Sequence, residues 1–137
     1  MSFLVDTNVV SELRKGARAN PRVAAWFADL GEEEVYLSVL TVGEIRNGIE
    51  RVRRRDRRAA TALDRWLRTL VGDHEDRLLP VDRAVAEQWG RLNVPDPLPV
   101  IDGLLAATAA VQGLVLATRN VKDLERTEVP LFDPFRP

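Results

Sequence analysis

The stretch that decides the fold is PLPVIDGLLAATAAVQGLVLATRN, residues 97–120. Asp102 is its only charged side chain before Arg119. Apolar or small residues on every face are typical of a buried helix, and the short apolar run Leu114–Ala117 is typical of a strand covered on both sides. We therefore predict a buried helix that carries Asp102 in its first turn and leads into a central strand.

Asp102 needs a physical reason in such surroundings. An ionised carboxylate among apolar side chains is costly unless it is paired, hydrogen-bonded or bound to a metal. The alternative is structural, because a carboxylate in the first helical turn complements the helix dipole by about 0.3–1 kcal/mol. This stretch alone leaves both interpretations open.

Apolar runs typical of strands alternate with helical patterns along the whole chain. The predicted strands are Phe3–Val5, Val35–Leu40, Leu78–Val81, Leu114–Ala117 and Val129–Phe132. Two helices follow each of the first three strands, and the pair after the second strand is predicted to form a helical hairpin that stands off the sheet. This alternation predicts one α/β domain, residues 1–137, with a mostly parallel sheet between helices.

Composition narrows the chemistry. The 137 residues carry a formal net charge of −1, no cysteine and one histidine, His74. Disulfides and thiolate metal sites are excluded, and His74 in a polar turn is expected to be exposed. No signal peptide or membrane-length apolar run is visible, so we expect a cytoplasmic protein with no membrane partner.

Polar and acidic side chains follow the predicted strands. They are Asp6, Glu44, Asp102, Asn120 and Asp123. Because the carboxyl ends of parallel strands meet at one edge of a sheet, we expect these side chains to lie close together.

Each of these positions has a structural alternative. Asp6 could be only the N-cap of the first helix. Glu44 could belong to a capping box with Thr41, which would compete with a role in binding metal. The joint placement is harder to explain by capping than any single residue is.

Carboxylates gathered at one edge repel each other unless a cation binds between them. All-oxygen ligands favour Mg²⁺ or Mn²⁺, and such an ion can activate water for attack on a phosphodiester. Neighbouring arginines, Arg46 and Arg119 among them, are candidates for phosphate contacts. Six more arginines lie within residues 51–58. Their pattern is equally compatible with a solvated helix face and with a phosphate-binding face. The pattern predicts metal-dependent hydrolysis of a nucleic acid.

Three segments in order resemble one family. LVDTNVVSEL near the start, LSVLTVGEIRNGI in the middle, and VIDGLLAATA followed by LVLATRNVKDLE are similar to segments of the PIN-domain ribonucleases. The resemblance is to the VapC-type toxins of type II toxin–antitoxin pairs, within the FitB-like branch, and it covers nearly the whole chain. It implies a three-layer α/β/α sandwich with a protruding helical hairpin and a Mg²⁺- or Mn²⁺-dependent endoribonuclease.

The resemblance also implies roles for particular residues. Asp6 and Asp102 match the metal-binding positions, and Glu44 matches the second acidic position. Asn8 and Thr118 match polar positions that hydrogen-bond the acidic residues.

At the fourth acidic position the chain departs from many relatives. It has Asn120 where they carry aspartate, and Asp123 lies nearby.

Partners follow from the same resemblance. It implies an RNA substrate, a homodimer, and a small VapB-type antitoxin that assembles with the toxin into a heterotetramer or a larger complex. Operator DNA would be bound only through that antitoxin. One rival hypothesis is a receiver-like signalling domain, which needs a pair of acidic residues after the first strand, but Asp6 has no acidic neighbour in its turn. The other is a non-catalytic module of the same fold, whose acidic pocket only binds a partner, as in a complex with DNA.

Overall fold

A computed structural model describes all 137 residues, Met1–Pro137. Its five strands are β1 (Phe3–Val5), β2 (Val35–Ser38), β3 (Leu78–Leu79), β4 (Val115–Ala117) and β5 (Leu131–Phe132). Its seven α-helices are α1 (Thr7–Leu13), α2 (Pro21–Asp29), α3 (Val39–Arg53), α4 (Arg57–Asp73), α5 (Arg83–Leu92), α6 (Val100–Gln112) and α7 (Val121–Leu124). No helix is both long and apolar enough to cross a membrane.

The sheet has the strand order β3-β2-β1-β4-β5, and every pairing is parallel. The chain first builds outward from β1 through β2 to β3, then returns to the other side of β1 with β4 and β5. The order therefore reverses beside β1, between β1 and β4. In open parallel sheets a ligand crevice forms at such a reversal, outside the carboxyl ends of the strands.

Side chains of β1 show how the three layers are separated. Phe3 and Val5 pack into a core with α1–α4, whereas Leu4, between them, packs into a second core with α6 and α7. Successive strand side chains point to opposite faces, so both faces of this strand are covered. The predicted α/β/α sandwich with a mostly parallel sheet is confirmed.

Helix α6 is buried as its composition indicates. Its small side chains Ala106, Ala107 and Ala109 are fully inaccessible to solvent. At Gly103 an added Cβ would lie 3.1 Å from Cδ1 of Trp89, so a side chain here would require the Trp89 ring to shift. The helix ends at Gly113, whose φ of 68° is left-handed and favours glycine. Asp102 lies in the first turn, as predicted.

Several predicted boundaries are wrong by a few residues. Strand β2 ends at Ser38 rather than at residue 40, because the Ser38 hydroxyl accepts the amide of Leu40 and starts α3 there. The edge strands β3 and β5 are only two residues long.

His74 is buried rather than exposed, and its Nδ1 lies 2.9 Å from the carbonyl oxygen of Leu70.

The hairpin of α3 and α4 is held together by an ion-pair network. Asp64 of α4 binds Arg46 and Arg53 of α3, each at 2.5 Å, and Glu50 binds the same two guanidinium groups at 3.1 Å. These contacts hold the pKa values of Glu50 and Asp64 below their ordinary range. For each carboxylate the hydrogen bond from Arg53 contributes most, and the one from Arg46 contributes next. The predicted hairpin is present, and its inner face packs on the sheet through Ile45, Ile49 and other apolar side chains.

Candidate active site

Asp6 is the most constrained of the acidic residues. It follows β1 directly, and its amide donates to the carbonyl of Ala117, which extends the pairing of β1 with β4. Its carboxylate accepts hydrogen bonds from the amide of Thr7 at 2.6 Å and from the hydroxyl of Thr118 at 2.7 Å. A third donor, Nδ2 of Asn8, lies at 3.3 Å. The side chain is only 4% exposed, so its oxygens are oriented by the ends of two neighbouring strands.

Burial dominates the ionisation of Asp6. Removal from water raises its pKa from 3.8 to about 6, and the nearby charges of Asp102 and Glu44 add to that rise. The hydrogen bonds from Thr118 and Thr7 act in the opposite direction. An N-cap alone does not require this burial, although the hydrogen bond from Thr7 does make Asp6 the N-cap of α1.

Asp102 is brought to the same place by the start of α6. Burial raises the pKa of its carboxyl group, and so do the charges of Glu44 and Asp123. No hydrogen bond from the protein contributes to its ionisation. A half-buried carboxylate that faces other carboxylates and has no donor is unfavourable in the protein alone.

Glu44 is positioned by a residue that the motif analysis did not single out. Its Oε1 accepts a hydrogen bond of 2.5 Å from the hydroxyl of Thr7, which also lies 3.2 Å from Oγ1 of Thr41. The predicted capping box is wrong, because α3 begins at Val39, two residues before Thr41, and Ser38 caps it. Glu44 is therefore free of the helix end and reaches across to α1. The one feature of the sequence that could have indicated this role for Thr7 is its position directly after Asp6.

Four carboxylates thus form one group, which we call the carboxylate cluster: Asp6, Glu44, Asp102 and Asp123. The charges of Asp102 and Glu44 raise the pKa of Asp6, and those of Glu44 and Asp123 raise the pKa of Asp102, which places the four within electrostatic range. No three His, Cys, Asp or Glu side chains are arranged as ready ligands of one ion. Mg²⁺ binds through one or two carboxylates and keeps several waters, so it does not require three protein ligands at one point.

The turn after β4 brings the remaining predicted residues to the cluster. The hydroxyl of Thr118 accepts the amide of Asn120 at 3.0 Å while it donates to Asp6, so one buried hydroxyl links the two. The side chain of Asn120 does not cap α7. Oδ1 of Asn8 accepts the amide of Arg119 at 3.3 Å, which ties α1 to this turn.

The two predicted phosphate-binding arginines lie in different surroundings. Arg119 is exposed, and its guanidinium lies 4.4 Å from the ring centre of Phe135. Arg46 is held by Glu50 and Asp64 within the hairpin, so the structure does not bring its charge to the cluster.

A groove of about 240 Å³ begins at the cluster and runs between α1 and α3. Its α1 side carries Thr7, Ser11 and Arg14, and its α3 side carries Glu44 and Gly48. A second cavity, about 310 Å³ and mostly apolar, lies under α1 and α2 and contains no member of the cluster. The candidate site is therefore marked by its charge and hydrogen bonds rather than by the more apolar cavity.

Comparison with known proteins gives one family. The model of the PIN domain matches residues 3–129. Toxin FitB of Neisseria gonorrhoeae is 31% identical over 97% of this chain and 98% of its own length, and VapC ribonuclease Y4jK of Sinorhizobium fredii is 30% identical over 98% and 99%. The crystal structure of FitAcB from Neisseria gonorrhoeae superposes with a TM-score of 0.91 at 31% identity, covering 98% of this chain and 99% of that one. FitAB bound to a DNA fragment superposes with a TM-score of 0.88 at 30% identity, covering 98% and 96%.

Proposed function

This chain belongs to the PIN-domain family, and on that premise we propose that it is a metal-dependent endoribonuclease, the toxin of a toxin–antitoxin pair. The observation that carries the proposal is the carboxylate of Asp102. It is half-buried, faces other carboxylates, and receives no hydrogen bond that would offset their repulsion. A divalent cation held by Asp102 and Asp6 would remove that cost, whereas complementing the helix dipole does not require the other acidic residues.

The donor set fits Mg²⁺ or Mn²⁺. Asp6 and Asp102 offer carboxylate oxygens, and Glu44 can take part directly or through water, without any sulfur or imidazole ligand. When bound, the ion supplies Lewis-acid stabilisation of charge on a phosphate and lowers the pKa of a coordinated water.

The chain's own residues have separate tasks in this proposal. Thr7, Asn8 and Thr118 keep the oxygens of Asp6 in place, and Thr7 also restrains Glu44. Asn120 and Asp123 are the proposed contacts with the substrate or its water shell. We assign to the exposed Arg119, whose backbone amide is bound by Asn8, a contact with a phosphate of the RNA backbone.

The proposed partners are an RNA substrate and a small VapB-type antitoxin. The similarity to toxin FitB supports this, as does the fold shared with FitAB bound to DNA. We expect a homodimer that assembles with the antitoxin, and contact with operator DNA only through it.

A second candidate keeps the same fold without catalysis. Asn120 brings no charge to the position where the family resemblance implies an aspartate, so the cluster could serve only to bind basic side chains of a partner. This alternative predicts binding of metal or partner without RNA cleavage.

The test is an endonuclease assay on the purified, antitoxin-free protein with total cellular RNA. We expect discrete fragments in Mg²⁺ or Mn²⁺ and none in EDTA, because the cluster lacks a protein cation to replace the metal. Cleavage that persists in EDTA would contradict metal dependence. A folded protein that binds Mn²⁺ but cleaves no RNA would favour the non-catalytic alternative.

Replacing Thr118 with valine is expected to lower cleavage by about 10- to 100-fold. The hydroxyl of Thr118 donates to Asp6 and lowers its pKa, so its loss raises that pKa further. The acidic limb of the pH–rate profile should therefore move to higher pH. Thr118→Ser keeps the hydroxyl and is the matched control; equal activity and equal pH profiles for the two variants would contradict this role.

A further inference from the structure

A dense group of free cations lies at the far end of the hairpin. We call it the arginine tip: Arg51, Arg54, Arg55, Arg57 and Arg58. All five residues are exposed, and none has a carboxylate within 4 Å. The only acidic residue among them, Asp56, accepts the amide of Ala59 and caps α4.

The tip differs from the other arginines of the same hairpin. Arg46 and Arg53 are neutralised by Glu50 and Asp64, which tie α3 to α4. The hairpin therefore uses two arginines for its own stability and leaves the five at its end without partners.

Helix electrostatics do not explain the whole tip. Arg51 and Arg54 lie at the C-terminus of α3, where the helix dipole favours a cation. Arg57 and Arg58 open α4, and that first turn contains no acidic residue. Cations at a helix N-terminus are disfavoured, so these two lower the stability of the helix that carries them.

The tip is joined to the carboxylate cluster by one helix. Arg51 lies seven residues after Glu44, which places the two on the same face of α3. At a rise of 1.5 Å per residue, Arg54 is about 15 Å beyond Glu44 along the helix axis. Gly48 lies between them, and an added Cβ there would meet nothing within 4 Å, so this face is open.

We propose that the arginine tip binds the phosphate backbone of the RNA whose scissile phosphate lies at the carboxylate cluster. The proposal rests on the endoribonuclease function proposed above. The strand would leave the cluster along the Glu44 side of α3 and pass Gly48 to reach the tip. When exposed arginines neutralise phosphates, they release the counterions that are condensed on the nucleic acid, which makes binding dependent on salt concentration.

The test measures binding of a fluorescein-labelled oligouridylate in EDTA, where the RNA is not cleaved. Arg54→Gln, Arg57→Gln and Arg58→Gln are combined in one variant. We expect weaker binding and a slope of log K against log salt concentration that is less steep by about 2, since each lost contact with a single strand removes about 0.7. The melting temperature should stay equal or rise, because two of the three cations oppose the dipole of α4.

The matched control removes the same charge elsewhere. Arg22, Arg83 and Arg91 are exposed, and the latter two lie on α5 with Glu87. Replacing all three with glutamine should leave the slope unchanged. An unchanged slope in the tip variant, or an equal change in both variants, would overturn the proposal.

A cleavage measurement in Mn²⁺ separates this proposal from the function on which it rests. The tip variant should show a higher KM with kcat preserved, because the lost contacts bind substrate and transition state alike. If the tip variant cleaves RNA with an unchanged KM and an unchanged salt slope, only the proposal about the arginine tip is overturned. Failure of the unaltered protein to cleave RNA overturns the proposed function.

Discussion

Replacing Asp102 with asparagine is expected to lower RNA cleavage by at least about 100-fold, and Asp6→Asn should have a similar effect. Both substitutions keep the shape of the side chain and remove one charge from the carboxylate cluster. Metal affinity falls because a neutral amide oxygen is a weaker ligand for a divalent ion than a carboxylate. The measurement is the initial rate of fragment formation in Mn²⁺, together with a titration of Mn²⁺ by calorimetry.

Asp29→Asn is the matched control, since Asp29 is exposed near the end of α2 and outside the cluster. Its rate should equal that of the unaltered protein. Both cluster variants should remain folded, because burying an ionised Asp102 or Asp6 is unfavourable without metal. Either cluster variant cleaving at the rate of the control would remove that residue from the site.

Divalent metal is expected to raise the melting temperature strongly near neutral pH and weakly in acid. The pKa of Asp6 rises from 3.8 to about 6 on folding, a difference worth about 3 kcal/mol. A raised pKa means that the folded state binds the proton more tightly. The stability that this provides is complete below pH 3.8 and is lost as the pH rises through about 6.

In the metal-free protein, Asp6 therefore lowers the free energy of unfolding as the pH rises across that window. Mn²⁺ binds the ionised form and offsets this loss, so its stabilising effect should appear mainly above pH 6. Thermal unfolding at a series of pH values, with Mn²⁺ and with EDTA, measures both effects. Asp6→Asn has no such group to titrate and should lose the part of the pH dependence that Asp6 contributes; a metal shift that is equal in acid and at neutral pH would contradict the assignment.

Much of the fold could be predicted from short-range patterns. The absence of charge around Asp102 indicated a buried helix, and alternation of apolar runs with helical periodicity indicated a parallel sheet. The start of a helix is set by side chains that act over a few residues: Asn20, directly before Pro21, caps α2, and Asp82 caps α5. The edge strands were overestimated because a pairing partner, rather than composition, sets their length.

The chain itself determined which residue types reach the carboxyl edge of the sheet, because parallel strands must end there. Only the tertiary structure decided what each of them contacts. It paired Thr7 with Glu44 from two distant helices, buried His74, and gave carboxylate partners to Arg46 and Arg53 but not to the arginine tip. The physical reason is that the energy of an ion pair or a hydrogen bond depends on the distance between two groups in the folded chain. The pattern of residues along one segment does not contain that distance.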